Sequence, residues 1–518
     1  MNRNRMLDAA ADRAVVWDII VIGGGATGLG VAVDGAARGY RTLLIEKGDF
    51  AHSTSSRSTK LIHGGVRYLQ QGNIKLVREA LRERALLLRN ASHLVHPISF
   101  VIPNYSWWQA GFYGLGLKAY DAMAGRSGFG RSQHLSRKRT LDLLPALKPE
   151  RLVGGTLYTD GQFDDARLAI TLARTATDLG ATLVNYMAIS AMRKQKGQIC
   201  ALLARDVETH KEYELKARSV VNATGVFSDS IRRLDEPSAK PIIAPSQGSH
   251  IVLPRSFLPG ETALMVPRTD DKRVLFAIPW HKHLIVGTTD TPVQEIQADP
   301  QPAEWEIEFL LTHAGRYLAV APGRHDILSI FAGLRPLARP AGVRNTALIP
   351  RDHSILVSPS GLITVTGGKW TTYRKMAEQA VDRAIPVGGL DPKPCRTHEL
   401  RLHGCTEGMA EEPLSLYGSE AADVRGLAKE RPEWAAPIHP ALPCTFAQVV
   451  WAARNEMART VEDVLARRTR SLFLNARASA AAAAGVASLL AGELGRDAAW
   501  ADAQAKSYEQ LTRRYLPG

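Results

Sequence analysis

Residues 18–28 read DIIVIGGGATG, and this stretch decides the fold. Asp18–Gly23 is a short apolar run closing on glycines, the pattern of a strand buried in a parallel sheet. Gly23-Gly24-Gly25-Ala26-Thr27-Gly28 then fits G-x-G-x-x-G. Gly23 permits the tight turn, Gly25 lets a pyrophosphate approach the backbone with no Cβ in the way, and Gly28 lets helix and strand pack closely. A helix from Ala26 to Arg38, closed by Gly39, turns its unpaired N–H groups and positive dipole end toward the phosphates. Arg41–Glu46 (RTLLIE) reads as a second strand, and Glu46 at its end is placed to accept from ribose hydroxyls. A lone glycine motif is a weak signal. With a strand before it, a helix after it and an acid about 20 residues on, it defines a dinucleotide-binding βαβ unit.

The fingerprint does not separate NAD from FAD, since both carry an ADP half. Three other segments favour FAD. Asn222-Ala223-Thr224-Gly225 follows an apolar strand, as in flavoproteins of this fold. Gly367-Gly368-Lys369 follows the β-like run Leu362–Thr366, where a second glycine pair can approach the flavin end. Residues 53–60 (STSSRSTK) supply hydroxyl donors suited to phosphate and ribityl oxygens.

Further out, residues 75–90 carry apolar positions at helical spacing with arginines between them, an amphipathic helix. Residues 165–180 read as another helix, closed by Gly180, and 182–225 as short β-like runs separated by polar turns. Residues 240–365 hold the runs SHIVLP, RVLFAIPW, HLIVGTTD, SILVS and LITVTGG, which predict a large, mostly antiparallel sheet. PVGGLDPKPCRTHEL at 386–400 reads as a linker. Beyond it the chain is helical, and the alanine-rich stretch Ala476–Leu494 reads as a packed helix.

The 518 residues are 45% hydrophobic and 22% charged, a globular composition. The net charge of +14 favours anionic partners: nucleic acid, anionic lipid or a phosphorylated small molecule. No nucleic-acid-binding module accompanies the basic residues. Four widely spaced cysteines suggest a reducing compartment. Cys395, His403 and Cys405 fit no familiar zinc spacing, so no metal is expected. The first 17 residues lack the apolar core of a secretory signal, and no run reaches the length of a membrane helix. Membrane contact, if any, is expected to be peripheral.

At this point the sequence resembles the FAD-dependent glycerol-3-phosphate dehydrogenases of the quinone-linked respiratory type, within the glycine/D-amino-acid oxidase-like flavoproteins. The resemblance runs from about residue 18 to at least residue 470. It rests on IGGGATGLG (22–30), STSSRSTKLIHGGVRYL (53–69), DDARL (164–168), NATG (222–225), GSHIVLPR (248–255), VGTTDTP (286–292), GLRPL (333–337), RDHSI (351–355), GGKWTTYRKMAE (367–378) and VEDVLARRTR (461–470). It implies an α/β chain: an FAD-binding Rossmann-like domain interleaved with a D-amino-acid oxidase-like antiparallel-sheet substrate domain over residues 15–390, then a C-terminal all-α domain over 391–518. The cofactor contacts it implies are Gly23, Gly25, Thr27, Gly28 and Glu46 at the ADP end. Thr54, Ser55, Ser58, Lys60, His63, Gly64 and Gly65 follow, and then Ala223, Gly225, Gly333, Gly368, Lys369, Trp370 and Thr371.

Oxidising glycerol 3-phosphate requires cations for the phosphate, an acceptor for the hydroxyl proton, and a C2–H directed at the flavin. Arginine suits the phosphate because its planar fork binds oxygens in pairs. Arg67, Arg335 and Arg351 stand in family-matching motifs. Histidine suits the proton; the resemblance favours His250 at the substrate and His63 at the flavin border. An arginine-stabilised alkoxide would make a dedicated base less important. Lys369 could stabilise the reduced flavin or contact substrate, and Thr371 and Thr372 could donate to the same region.

The resemblance implies ubiquinone or menaquinone as acceptor, reached from the inner face of the cytoplasmic membrane. Residues 105–120 (YSWWQAGFYGLGLKAY) and the basic 131–140 (RSQHLSRKRT) suit an anionic membrane interface. A buried helix or a lid is the alternative for this stretch. An oxidase passing electrons to oxygen and a non-catalytic flavin-binding sensor are the competing functions. The oligomeric state, a homodimer among the candidates, is not legible.

Overall fold

Val16–Ile22 forms the central strand of a twisted sheet, with Thr42–Ile45 and Glu212–Asn222 parallel on either side. Thr182–Val184 extends one flank and Leu362–Gly367 the other, both parallel. The computed structural model describes residues 1–65, 73–125, 129–271, 273–338, 352–408 and 411–518. Side chains in these parallel strands alternate between two apolar layers, as the two-residue period of a strand requires. Ile19, Val21, Leu44, Leu183, Val221 and Ile363 meet the helices Ala26–Ala37, Asp165–Asp178 and Tyr373–Val387. Ile20, Ile22, Leu43, Ile45, Val184 and Val220 meet the antiparallel strands Met187–Gln195 and Gln198–Asp206 and the N-terminal helix Arg3–Ala11.

The second sheet is mostly antiparallel and has ten described strands. Ile243–Pro254 pairs with His283–Gly287 on one side and Ser329–Ala338 on the other. Two differences from the sequence reading stand out. His353–Val357 and Leu362–Gly367 (the runs SILVS and LITVTGG) belong to the nucleotide-binding sheet, not to this one. Val95–Asn104 and Gly154–Phe163, a long antiparallel pair from upstream, help to build the second sheet instead. A period of two reports burial of one face and says nothing about which strand lies alongside.

Beyond residue 415 the described chain is helical. Ala476–Leu494 starts at an Asn475 side chain that accepts from Ala478 N and ends at Gly495 in the left-handed region. Its small side chains let it pack closely against Ala498–Arg513, and this helical layer shares a core with Val252, Trp280, Ile285 and Phe331 of the second sheet. The stretch expected to be a linker returns along the nucleotide-binding layer: Arg38 donates to Lys393 O at 3.0 Å and Tyr40 to Asp391 O at 2.6 Å. No described helix is long and apolar enough to cross a membrane.

Candidate active site

The nucleotide end is built by close backbone crossings. Gly23 has φ +109°, and a Cβ there would lie 2.8 Å from Ala223 O. A Cβ on Gly28 would overlap the Gly23 carbonyl. Helix Ala26–Ala37 therefore begins hard against the strand, with Gly25 as an N-cap that makes no side-chain cap bond. Ser55 Oγ accepts from Ala26 N at 2.9 Å, leaving Thr27 and Gly28 in the first turn. Glu46 accepts from Gly24 N at 2.6 Å and Gly48 N at 2.8 Å, which holds the loop against the end of the second strand. A glycine-lined helix N-terminus with a carboxylate alongside fits the ADP half of FAD.

Ser55 also reaches toward the other end of the site, its carbonyl accepting from Trp370 Nε1 at 3.0 Å. From there a cavity of about 340 Å³ opens between the two sheets. Its walls come from Thr54, Arg57–Thr59, His63 and Gly65; from Gly248 and His250; from Gly333–Ala338; and from Gly367–Thr371. Gly333 is needed because a Cβ would sit 2.8 Å from Arg57 O. Thr54 Oγ1 donates to Leu334 O at 2.8 Å, and His63 N to Thr371 Oγ1 at 3.3 Å. Gly64 N donates to Tyr120 Oη at 3.0 Å.

His250 and Arg335 lie on paired strands: His250 is opposite Phe331 and Ser246 opposite Arg335. The His250 ring is buried, stacks on Phe331 at 4.7 Å, and shares a hydrogen bond of 2.9 Å between Nε2 and Thr59 Oγ1. Burial first, then the charges of Lys60 and Arg335, push its pKa well below the ordinary histidine value. These surroundings favour the neutral imidazole over the imidazolium. Arg335 is fixed by Gln247 O and Thr289 O, both at 3.1 Å, and lies 3.4 Å from Asp290 Oδ1. Arg273 pairs with the same aspartate at 2.8 Å and also lines the cavity. Arg57 is matched by Asp299, and Asp160 by Arg84. Among the described residues that line the opening, Arg273, Arg335 and Lys369 are the remaining cations, beside Asp290 and Asp352.

The model of the FAD dependent oxidoreductase family matches residues 18–374, and that of the C-terminal domain of alpha-glycerophosphate oxidase matches 361–501. The mitochondrial glycerol-3-phosphate dehydrogenase of Rattus norvegicus is 39% identical over 96% of this chain and 73% of its own length. That of Schizosaccharomyces pombe is 39% identical over 97% of this chain and 87% of its own. The chain belongs to the FAD-dependent glycerol-3-phosphate dehydrogenases. The structure of the glycerol-3-phosphate dehydrogenase from Bacillus halodurans complexed with FAD is 29% identical, with a TM-score of 0.81 over 99% of this chain and 98% of that one.

The structure brings eleven of the expected residues to one place. Thr54, Ser58, His63, Gly65, His250, Gly333, Arg335, Gly368, Lys369, Trp370 and Thr371 line the cavity. Gly225, at φ +58°, opens the short helix that follows the Ala223-Thr224 turn. Arg67 and Arg351 lie outside the described residues. Lys60 differs from expectation. It does not line the cavity; its ammonium is fully buried on Asp165 Oδ2 at 2.7 Å and Ser56 O at 2.8 Å. The sequence reading missed Thr59, Arg273 and Asp290. Thr59 and Asp290 lie within motifs already noted, STSSRSTK and VGTTDTP, but nothing local marks Arg273. No described cluster could hold a metal ion.

Proposed function

We propose that the chain oxidises sn-glycerol 3-phosphate to dihydroxyacetone phosphate and passes the electrons to a membrane quinone, ubiquinone or menaquinone. The observation that carries the substrate is the Arg335–Asp290–Arg273 group facing a neutral His250 across one cavity. Arg335 and Arg273 hold the phosphate dianion, their forks already oriented by Asp290 and by backbone carbonyls. Lys369 adds charge on the flavin side of the same cavity. His250 takes the C2 hydroxyl proton, and the oxidised carbon keeps its oxygen as the ketone. Bound FAD supplies the two-electron acceptor for the C2 hydride. Gly23, Gly25, Thr27, Gly28 and Glu46 hold its ADP half, and Ser55, Trp370 and Thr371 connect that half to the reacting end.

The quinone reading is supported by helix Trp107–Ala124. It exposes Trp107 (75%), Trp108 (73%) and Leu115 (75%), and Trp108 stacks on Phe112. Such a patch is uncommon on a surface that meets only water. Ser132 bonds Asp121 of this helix at 2.6 Å, next to exposed Arg131, and Arg137, Lys138 and Arg139 are exposed a few residues further on. Aromatics flanked by cations suit the headgroup layer of an anionic membrane on its cytoplasmic face.

Anaerobic addition of glycerol 3-phosphate should bleach the flavin absorbance, while glycerol at the same concentration leaves it. A spectrum unchanged by glycerol 3-phosphate would refute the substrate assignment. Under air, reduction of a soluble quinone analogue with little hydrogen peroxide supports the quinone route, and stoichiometric peroxide supports an oxidase.

A further inference from the structure

Lys60 was expected at the cofactor and is found inside a buried ionic group that joins three parts of the chain. Asp165, at the start of helix Asp165–Asp178, accepts on Oδ2 from Ser58 N (2.9 Å), Ser58 Oγ (2.8 Å) and Lys60 Nζ (2.7 Å). Its Oδ1 accepts from Arg470 Nη2 at 3.0 Å. Arg470 comes from the C-terminal helical layer and donates to its own Ala466 O at 2.6 Å. Lys60 and Arg470 also both donate to Ser56 O, each at 2.8 Å. Lys60, Asp165 and Arg470 are all completely buried.

Segment 56–60 is thus tied to Asp165 and Arg470 through Ser56, Ser58 and Lys60, and it is also held by Arg57, which pairs with Asp299 at 2.8 Å and donates to Tyr515 Oη at 2.6 Å, and by Lys60 O, which accepts from Phe163 N at 3.1 Å. Thr59 faces the cavity and meets His250 Nε2 at 2.9 Å. The Lys60 ammonium lies 5.3 Å from the Phe331 ring, which stacks on His250. We infer that Asp165, locked by Arg470 of the C-terminal helices, is a positioning residue for the proton acceptor: it fixes segment 56–60, and so sets the Thr59–His250 hydrogen bond and the place of the Lys60 charge. The inference rests on the glycerol 3-phosphate reading. It gives the C-terminal layer a part in catalysis without a residue in the cavity.

Burying three charged groups in contact is costly unless each is matched and hydrogen-bonded. Here the match uses the hydroxyl and N–H of Ser58 as well, so shifting any member moves the segment that carries Thr59. The charges facing His250 are Lys60 from segment 56–60 and Arg335 from strand Ser329–Ala338. Those facing Lys60 are Asp165 and Asp164 from the helix start and Arg470 from the C-terminal layer, with His281 against Asp164 at 3.4 Å. Burial brings the Lys60 ammonium down to about 7 despite Asp165. Its charge is therefore delicately held and sensitive to the aspartate.

The test uses the FAD-loaded full chain carrying Asp165→Asn, Lys60→Met or Thr59→Val. Asp165→Asn should lower kcat about 10–100-fold, the loss from misplacing a reacting group by an ångström, with KM within twofold and flavin retained. Its effect should be non-additive with that of Thr59→Val. Lys60→Met removes a cation beside the base and should move the acidic limb of the pH–rate profile to higher pH. The same displacement should appear in the His250 ring ¹⁵N resonances without substrate, assigned through His250→Gln. Asp165→Asn at wild-type kcat, additive effects, or an acidic limb and resonances unmoved by Lys60→Met would overturn the inference. Should Asp165→Asn not fold, the Lys60→Met profile and resonances decide alone. Wild-type protein that glycerol 3-phosphate fails to bleach overturns the functional reading and this inference together. Wild type that bleaches, with variants indistinguishable from it, overturns the inference only.

Discussion

Replacing Arg335 by alanine isolates the contribution of one guanidinium to phosphate recognition. The side chain is pre-oriented by Gln247 O, Thr289 O and the Thr288 hydroxyl at 3.1–3.3 Å, so little entropy is lost when a phosphate arrives. With the Nη hydrogens already engaged, one charge-assisted interaction with the phosphate is counted, at about 1.5–3 kcal/mol. At 1.36 kcal/mol per decade this is a loss of about 10–10² in kcat/KM for glycerol 3-phosphate. Stability should change less, because Asp290 keeps Arg273 at 2.8 Å as its partner. The assay is anaerobic stopped-flow reduction of the flavin over a range of glycerol 3-phosphate concentrations, with glycerol as the substrate that lacks the phosphate. The loss should fall on glycerol 3-phosphate, and the slow glycerol rate should not fall, since the same substitution removes a cation that weakens His250. An Arg335→Ala enzyme within threefold of wild type, or one that loses both substrates equally, would refute the phosphate assignment.

Gly28→Ala should yield colourless apoprotein, because the new methyl overlaps the Gly23 carbonyl and overpacking of about 1–3 kcal/mol falls on the loop that holds the pyrophosphate; an absorbance ratio equal to wild type would count against that loop. Asp49→Ala should lower the unfolding midpoint, since it takes the nearest carboxylate (2.5 Å) from buried Arg468, whose other carboxylate, Glu456, is 3.8 Å away, and one of three carboxylates from Arg467, at about 3–5 kcal/mol. Burial alone would raise the Asp49 carboxyl, but Arg468 and Arg467 outweigh it and hold it below the usual range. A carboxyl depressed in the folded state stabilises above its unfolded value of about 4 and loses that contribution as pH falls below it. Wild-type melting temperature should therefore drop below about pH 4, and Asp49→Asn should flatten that drop. Trp107→Ser with Trp108→Ser should reduce sedimentation with anionic vesicles while leaving turnover of a soluble acceptor unchanged; undiminished binding would remove the helix from the membrane face.

The glycine loop was legible because every requirement on it is local. The turn, the backbone approach and the helix N-terminus all fall within Gly23–Gly28, and Glu46 stands one helix later. His250 and Arg335 were singled out through motif context, and the structure puts them on neighbouring strands. Arg273 was not, because its importance comes from Asp290, 17 residues on, across the strands between them. Lys60 was misread for a related reason. It stands among hydroxyl residues that line the cavity, but its φ of +62° and its partner Asp165 turn it into the core. Its direction depends on residues 105 and more positions away. Periodicity located the strands of 353–367 correctly and could not assign them to a sheet.

On the proposed reading of the site, the cavity's electrostatics tie phosphate binding to proton removal. Burial and the cations Lys60 and Arg335 make His250 a weak base when substrate is absent. A phosphate dianion beside Arg335 offsets part of that cationic field and lifts the proton affinity of the imidazole only once the substrate is in place. Glycerol then fails twice: it forfeits the binding energy of the phosphate, and it leaves the base weak. The two losses are separable, because a free dianion can restore the field without being attached to the substrate. Phosphite added with glycerol should accelerate flavin reduction and saturate, and the acidic limb of its pH profile should lie above that for glycerol alone. If the charge acts only as a handle for binding, phosphite will leave the glycerol rate unchanged or compete with glycerol 3-phosphate without activating. Arg335→Ala should abolish the activation, since the dianion's seat and the charge it neutralises are the same side chain.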